Sequence, residues 1–295
     1  MIEEYVRTVT AHGVPYNYRV LRQSGPAPET RAEPVVALGG VLEGMHDWAY
    51  LEDTVLPRTS LVTVDLPGLD PAAFQNGDGL DLLCEGLEAI VEDLGAPRVR
   101  LYGYSLGAAV ALQYTQGHTE RVARLLLGGV PGDVTDEIES HLRTAVGCAR
   151  AGDAEGFAAL MADGLLCLDE SHHVHRRALT RGYLRRFMRN AAHVPRKVDL
   201  LATALITRRR PLHGGLSGVP TLVFSGGHDH LNPREELLAF AATIEGSRFV
   251  SFPDCDHMLP LQRPEAVTSL VASFLLEETA AHASGRAASP AGRCS

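Results

Sequence analysis

The sequence predicts an α/β fold built on a mostly parallel sheet, and three observations carry that prediction. Short apolar runs recur along the chain, each ending in a Gly or Asp turn. Helical segments such as Leu80 to Leu94 separate them, the order that sets strands side by side and covers both faces of the sheet. The third observation is Tyr102-Gly103-Tyr104-Ser105-Leu106-Gly107, placed directly between the apolar run Val99-Arg100-Leu101 and the small apolar stretch Ala108 to Ala111. A buried strand, a sharp turn and a closely packed helix follow one another there.

In chain order, Tyr5 to Thr10 and Tyr16 to Leu21 read as an antiparallel pair turned at His12-Gly13. Gln23 to Glu33, with Gly25, Pro26 and Pro28, reads as a surface loop. An apolar stretch runs from Pro34 to Val41 and another from Leu61 to Val64 ahead of Asp65-Leu66-Pro67-Gly68, and Val99 to Leu101 and Val122 to Leu127 read as further strands. Asp133 to Leu216 shows no clear strand. Val219 to Ser225 then reads as a buried strand running into Gly226-Gly227-His228-Asp229-His230, and Arg248 to Phe252 as a last short strand. Pro253 to His257 is a loop, Pro264 to Glu277 an apolar helix, and Ala281 to Ser295 a small, polar, disordered tail.

Ser105 is the centre of a Gly-x-Ser-x-Gly pattern. A serine that ends a buried strand and opens a helix must turn in a strained conformation, which lifts its hydroxyl above the sheet. The flanking glycines let neighbouring backbone approach without a Cβ clash. The first free N–H groups of the helix point back at the serine. A serine alone is a poor nucleophile, so it needs a base and an acid further along the chain. Asp229 lies just beyond a strand end and His257 lies in the loop after the last strand, in the order Ser, Asp, His.

With three separate motifs in that order, the chain resembles the α/β-hydrolase fold family from about Val35 to Leu276. The resemblance implies an eight-stranded, doubly wound, mostly parallel sheet with a helical cap inserted after the sixth strand. It assigns 1–132 and 217–280 to the core, 133–216 to the cap and 281–295 to the tail. It further implies Ser105 as nucleophile, His257 as base and Asp229 as the acid that orients it. Backbone N–H groups of Val41 and Leu106 would form the oxyanion hole that stabilises charge on a carbonyl oxygen. Trp48 matches a packing tryptophan, and Pro260, Arg263-Pro264-Glu265 and Val267 also fit. Three positions depart from the pattern: Gly39-Gly40 stands where many members have His-Gly, Asp70 where a second glycine is usual, and Asp256 where glycine commonly precedes the histidine.

Other assignments compete. Asp133, after the sixth strand, is an alternative acid or else a helix N-cap. His228 and His230 flank Asp229, but the base follows the acid in this fold. Asp254 and Asp256 read as loop residues. The expected activity is cofactor-independent hydrolysis of an ester, thioester or lactone of a small-to-medium organic substrate through an acyl-enzyme on Ser105. The alternatives are acyl transfer, or elimination or cyclisation of a natural-product intermediate with His257 as base. Ser105 does not fit the dehalogenases and epoxide hydrolases of this fold, which use an aspartate nucleophile. A ligand receptor would have no need of all three residues.

A net charge of −9 argues against general nucleic-acid binding. No run of 18 apolar residues exists, and Met1-Ile2-Glu3-Glu4 does not begin a signal peptide, so the cytoplasm is the expected location and no membrane contact is expected. Cys84, Cys148, Cys167, Cys255 and Cys294 make no C-x-x-C spacing, as expected of reduced thiols. The segment Asp133 to His213 carries a net +3 and the rest of the chain −12. Arg177, Arg181, Arg185 and Arg189 recur every four residues, opposite an apolar stripe of Leu179, Leu184, Phe187, Met188 and Ala191. They read as a solvated face; the alternative is a platform for an anionic substrate or an acyl-carrier protein. Asp169, His172 and His175 are spaced to share a helix face, yet the triad needs no metal, and none is expected.

Overall fold

His12 and Gly13 both take positive φ, 49° and 77°. That is the turn geometry whose twist matches a hairpin, and it closes β1 (Ile2–Ala11) on β2 (Val14–Gln23). The computed structural model describes residues 1–25, 33–41, 43–68, 79–132, 135–207 and 214–277. Asp70, Asp133, most of the Gln23–Glu33 loop and the 281–295 tail lie outside the described residues.

The hairpin leads into β3 (Val35–Leu38), β4 (Leu61–Asp65), β5 (Val99–Tyr104), β6 (Val122–Gly128), β7 (Thr221–Gly226) and β8 (Arg248–Phe252). These form one eight-stranded sheet in the order β1-β2-β4-β3-β5-β6-β7-β8. β2 pairs antiparallel with β1 and β4, and every other pairing is parallel. All residues of β5, β6 and β7 are buried, which is why they read as largely apolar runs rather than alternating ones, with Arg100 and Arg124 as the charged exceptions. From β3 the chain passes outward to β4, then returns across β3 to β5 and continues the other way. The loops after β3 and β5 therefore part at the sheet's carboxyl edge and leave a crevice, the usual ligand position in open α/β sheets.

One apolar cluster packs α2 (Gly79–Asp93), α3 (Leu106–Gly117) and α8 (Arg234–Ala242) on one face of the sheet. A second packs α1 (Ala49–Val55), α9 (Leu259–Gln262), α10 (Pro264–Leu270) and the π-helical turn Val271–Leu275 on the other. Between β6 and β7 the described residues form four helices, α4 (Asp136–Arg150), α5 (Ala154–Leu165), α6 (Arg177–Ala191) and α7 (Pro195–Thr207). They share their own cluster, which Val41 and Met258 join from the sheet side. Thr135 caps α4 by accepting the Ile138 N–H, and Asp153 caps α5 by accepting that of Gly156.

Two expectations for this region are corrected. Residues 169–176 form turns rather than a helix, so Asp169, His172 and His175 do not share a helix face. Leu179 is 68% exposed and does not belong to the buried stripe of α6, whereas Leu184, Met188 and Ala191 do. Among the described residues no helix is long and apolar enough to cross a membrane.

Candidate active site

Ser105 joins β5 to α3 with φ 51° and ψ −119°, a conformation costly for a residue with a side chain. The crowding around it explains both flanking glycines. A Cβ on Gly103 would lie 2.4 Å from the Gly107 carbonyl oxygen, and one on Gly107 would lie 2.1 Å from that of Leu38. α3 can pack onto β3 and β5 only without those carbons. Ser105 donates its N–H to the Gly128 carbonyl at 3.0 Å, which fixes the turn against β6. Leu106 is the first residue of α3, so its N–H has no helical carbonyl behind it. Gly40 comes from the other side of the crevice: a Cβ there would lie 3.2 Å from Ser105 Cβ. Val41, next in the chain, lines the cavity that holds Ser105 and His257.

The structure brings Ser105, His257 and Asp229 together. His257 Nε2 lies 3.1 Å from Ser105 Oγ, and His257 Nδ1 lies 2.8 Å from Asp229 Oδ2. A carboxylate only accepts, so Nδ1 carries the proton in this arrangement and Nε2 presents a lone pair to the serine hydroxyl. The two inner groups are shielded from water, His257 being 2% exposed and Asp229 4%. Asp229 Oδ1 also accepts the Leu231 N–H at 3.1 Å, and Tyr104 donates its hydroxyl to the His257 carbonyl at 2.7 Å.

His228 and His230 do not reach the serine. His228 stacks its ring on His172, 4.3 Å between centroids, and burial holds its imidazole below the usual range. His230 is exposed. Asp254 pairs with Arg263, which holds its carboxyl below the usual range. Asp256 is a different matter. Fully buried, it accepts the Met258 N–H at 2.9 Å and the Gln262 amide at 2.7 Å on Oδ1, and the Cys167 N–H at 3.1 Å on Oδ2. The departure from glycine at this position thus fastens the His257 loop to the chain after α5, a role with no signal in the sequence.

A cavity of about 150 Å³ opens above Ser105. Tyr104, Leu165, Tyr183, Leu184, Phe187 and Met258 are among the side chains in its wall, four of them from α5 and α6. Its ionisable lining besides His257 and the tyrosines is Glu43 and Asp47; no lysine or arginine lines it among the described residues. Lys197 places its ammonium 4.5 Å from the centroid of the Phe187 ring.

The arginine row of α6 is divided in its work. Arg177 reaches back to the carbonyls of Cys167, at 3.2 Å, and Asp169, at 2.9 Å, and Arg189 pairs with Glu155. Arg185 and Arg186 are exposed. Charge reversal of both, Arg185→Glu with Arg186→Glu, is expected to keep kcat/KM for an uncharged ester within about threefold, since surface changes usually cost less than roughly 0.5 kcal/mol. A loss of about a hundredfold that shrinks in high salt would instead place an anionic substrate or carrier on this face.

A family model described as the alpha/beta hydrolase fold matches residues 33–264. A 2-hydroxy-6-oxononadienedioate/2-hydroxy-6-oxononatrienedioate hydrolase from Klebsiella pneumoniae subsp. pneumoniae is 25% identical over 260 residues, 82% of this chain and 87% of that protein. A 2-hydroxy-6-oxo-2,4-heptadienoate hydrolase from Pseudomonas putida is 27% identical over 256 residues, 83% of this chain and 90% of that protein. Among solved structures, MGS-M2, an alpha/beta hydrolase enzyme from a Medee basin deep-sea metagenome library, superposes with a TM-score of 0.76 at 16% identity, covering 92% of this chain and 98% of that one.

Proposed function

Since this chain belongs to the alpha/beta hydrolase fold family and is an enzyme of it, we propose that it is a serine hydrolase of uncharged esters, thioesters or lactones. The observation that supports this most is the Ser105–His257–Asp229 relay, with separations of 3.1 and 2.8 Å, at the floor of a largely apolar cavity. As Ser105 Oγ attacks the carbonyl carbon, its proton passes to His257 Nε2, and Asp229 stabilises the imidazolium. Charge moves to the carbonyl oxygen, which the N–H groups of Val41 and Leu106 receive. When the tetrahedral centre collapses, the bond to the leaving oxygen or sulfur breaks and that atom takes the proton from Nε2. Water then repeats the sequence on the acyl-enzyme and restores Ser105. The helices of segment 133–216 act as the cap, and their apolar side chains shape the acyl pocket.

The cavity chemistry bears on substrate. The two relatives are named for substrates that, by those names, carry one or two carboxylates. Here Glu43 and Asp47 line the cavity and no described lining residue offers a cation. An unpaired charge held out of water costs about 3–5 kcal/mol, so a carboxylate substrate is expected to be turned over roughly 100-fold less efficiently, or worse, than a neutral ester. A void of about 150 Å³ is the size that accepts benzene, which suits a butyryl or benzoyl group. The test compares kcat/KM for 4-nitrophenyl butyrate and for 2-hydroxy-6-oxo-2,4-heptadienoate. Preference for the butyrate by about 100-fold supports the proposal; preference for the dienoate overturns it.

A further inference from the structure

Gly39 has no side chain, and Glu43 occupies the space that one would need. A Cβ on Gly39 would lie 2.5 Å from Glu43 Cβ and 3.0 Å from Glu43 Oε2. The Glu43 side chain turns into the cavity wall, and its Oε2 accepts the backbone N–H of Gly40 at 2.7 Å. Gly40 in turn lies against the serine: the Cβ position there is 3.2 Å from Ser105 Cβ and 3.6 Å from Glu43 Oε2. The Glu43 side chain therefore holds the stretch of the loop after β3 that lies against the elbow after β5.

We infer that Glu43 is a positioning residue for the oxyanion hole: by holding the Gly40 N–H, its carboxyl sets the following peptide so that the Val41 N–H faces a carbonyl oxygen above Ser105. This rests on the acyl-enzyme proposal. The two N–H groups differ in duty, since Gly40 donates inward to Glu43 and only the next one is left for substrate.

The position also restricts the charge Glu43 can carry. A carboxylate beside the oxyanion hole would oppose the negative charge that forms on the substrate oxygen, so the neutral acid is the productive form. Enclosure by the cavity wall pushes the Glu43 carboxyl above its ordinary range and outweighs the Gly40 N–H bond, which pulls it down; Asp47 adds to the rise, while His257 and Lys197 act against it. The Tyr50, Tyr102 and Tyr104 phenols also face it, and their own ionisation lies well above any pH used here. Because the folded-state value is raised, the neutral form is present at low pH and is lost as pH rises through that value. Turnover should thus carry a fall as Glu43 loses its proton.

The test measures 4-nitrophenyl butyrate hydrolysis against pH for wild type, Glu43→Gln and Glu43→Ala. Loss of one oxyanion donor costs about 10²–10³ in kcat. Glu43→Ala, which leaves the donor present but unbraced, should lose about 10- to 100-fold in kcat with KM within about threefold. Glu43→Gln keeps a carbonyl acceptor for the Gly40 N–H and cannot ionise. It should recover most of that loss and abolish the fall in turnover with rising pH that Glu43 ionisation causes. Glu43→Ala at wild-type kcat, Glu43→Gln no better than Glu43→Ala, or a fall in turnover with rising pH that survives unchanged in Glu43→Gln would each overturn the inference. Fluorophosphonate labelling of wild type, run alongside, separates the two levels: a labelled wild type with an indifferent Glu43 overturns only this inference, and an unlabelled wild type overturns the acyl-enzyme proposal.

Discussion

Wild-type protein is expected to take up one fluorophosphonate equivalent at Ser105, and Ser105→Ala none, with ester hydrolysis falling by about six powers of ten. The expectation follows from geometry. Ser105 Oγ is 3.1 Å from a histidine nitrogen whose partner nitrogen is already bonded to a buried carboxylate. The elbow holds the hydroxyl in place by backbone strain instead of by a flexible contact. Intact-mass analysis of the folded protein reads the adduct directly. An unmodified wild type would remove hydrolysis and acyl transfer together and leave elimination or cyclisation with His257 as base.

Asp229→Asn should lower kcat by about four powers of ten while KM changes little. An amide can donate to His257 Nδ1, which turns the ring to the tautomer that carries its proton on Nε2, where a base is needed. The substitution leaves shape almost unchanged, so the loss belongs to protonation and not to folding; an unchanged thermal midpoint would check this. Asp133→Asn, at a position outside the described residues, is expected to be mild by comparison. Should Asp133→Asn cost the larger factor, the acid of the relay is Asp133 and the Asp229 contact is structural.

Some of this site is legible in one dimension because its parts are local. The elbow is a contiguous strand, turn and helix, so Gly103, Ser105 and Gly107 declare themselves by spacing. Asp229 follows the apolar run of a buried strand and His257 the short, half-buried last strand, and chain order then separates His257 from His228 and His230. Periodicity is weaker evidence on the surface. Leu179 falls within the apolar positions of α6 by count, yet it projects into solvent, because the helix buries a narrower strip than its composition allows. Arg177 falls within the charged row but turns back to the carbonyls of Cys167 and Asp169, which no helix-wheel count registers.

The sequence by itself determines the α/β class and the mostly parallel sheet and points to Ser105, His257 and Asp229, with Asp133 left open as the acid, since strand, turn and helix each depend on neighbours a few residues away. Only the tertiary structure decides what Glu43 and Asp256 do. Each is one acidic residue among many in an acidic chain, and its meaning lies in what reaches it from elsewhere: the Gly40 N–H and the space above Gly39 for Glu43, and donors from Cys167, Met258 and Gln262 for Asp256. A buried carboxyl is tolerable only where such donors converge. Convergence of donors belongs to the packed chain, because Cys167 and Asp256 meet across 89 positions of sequence.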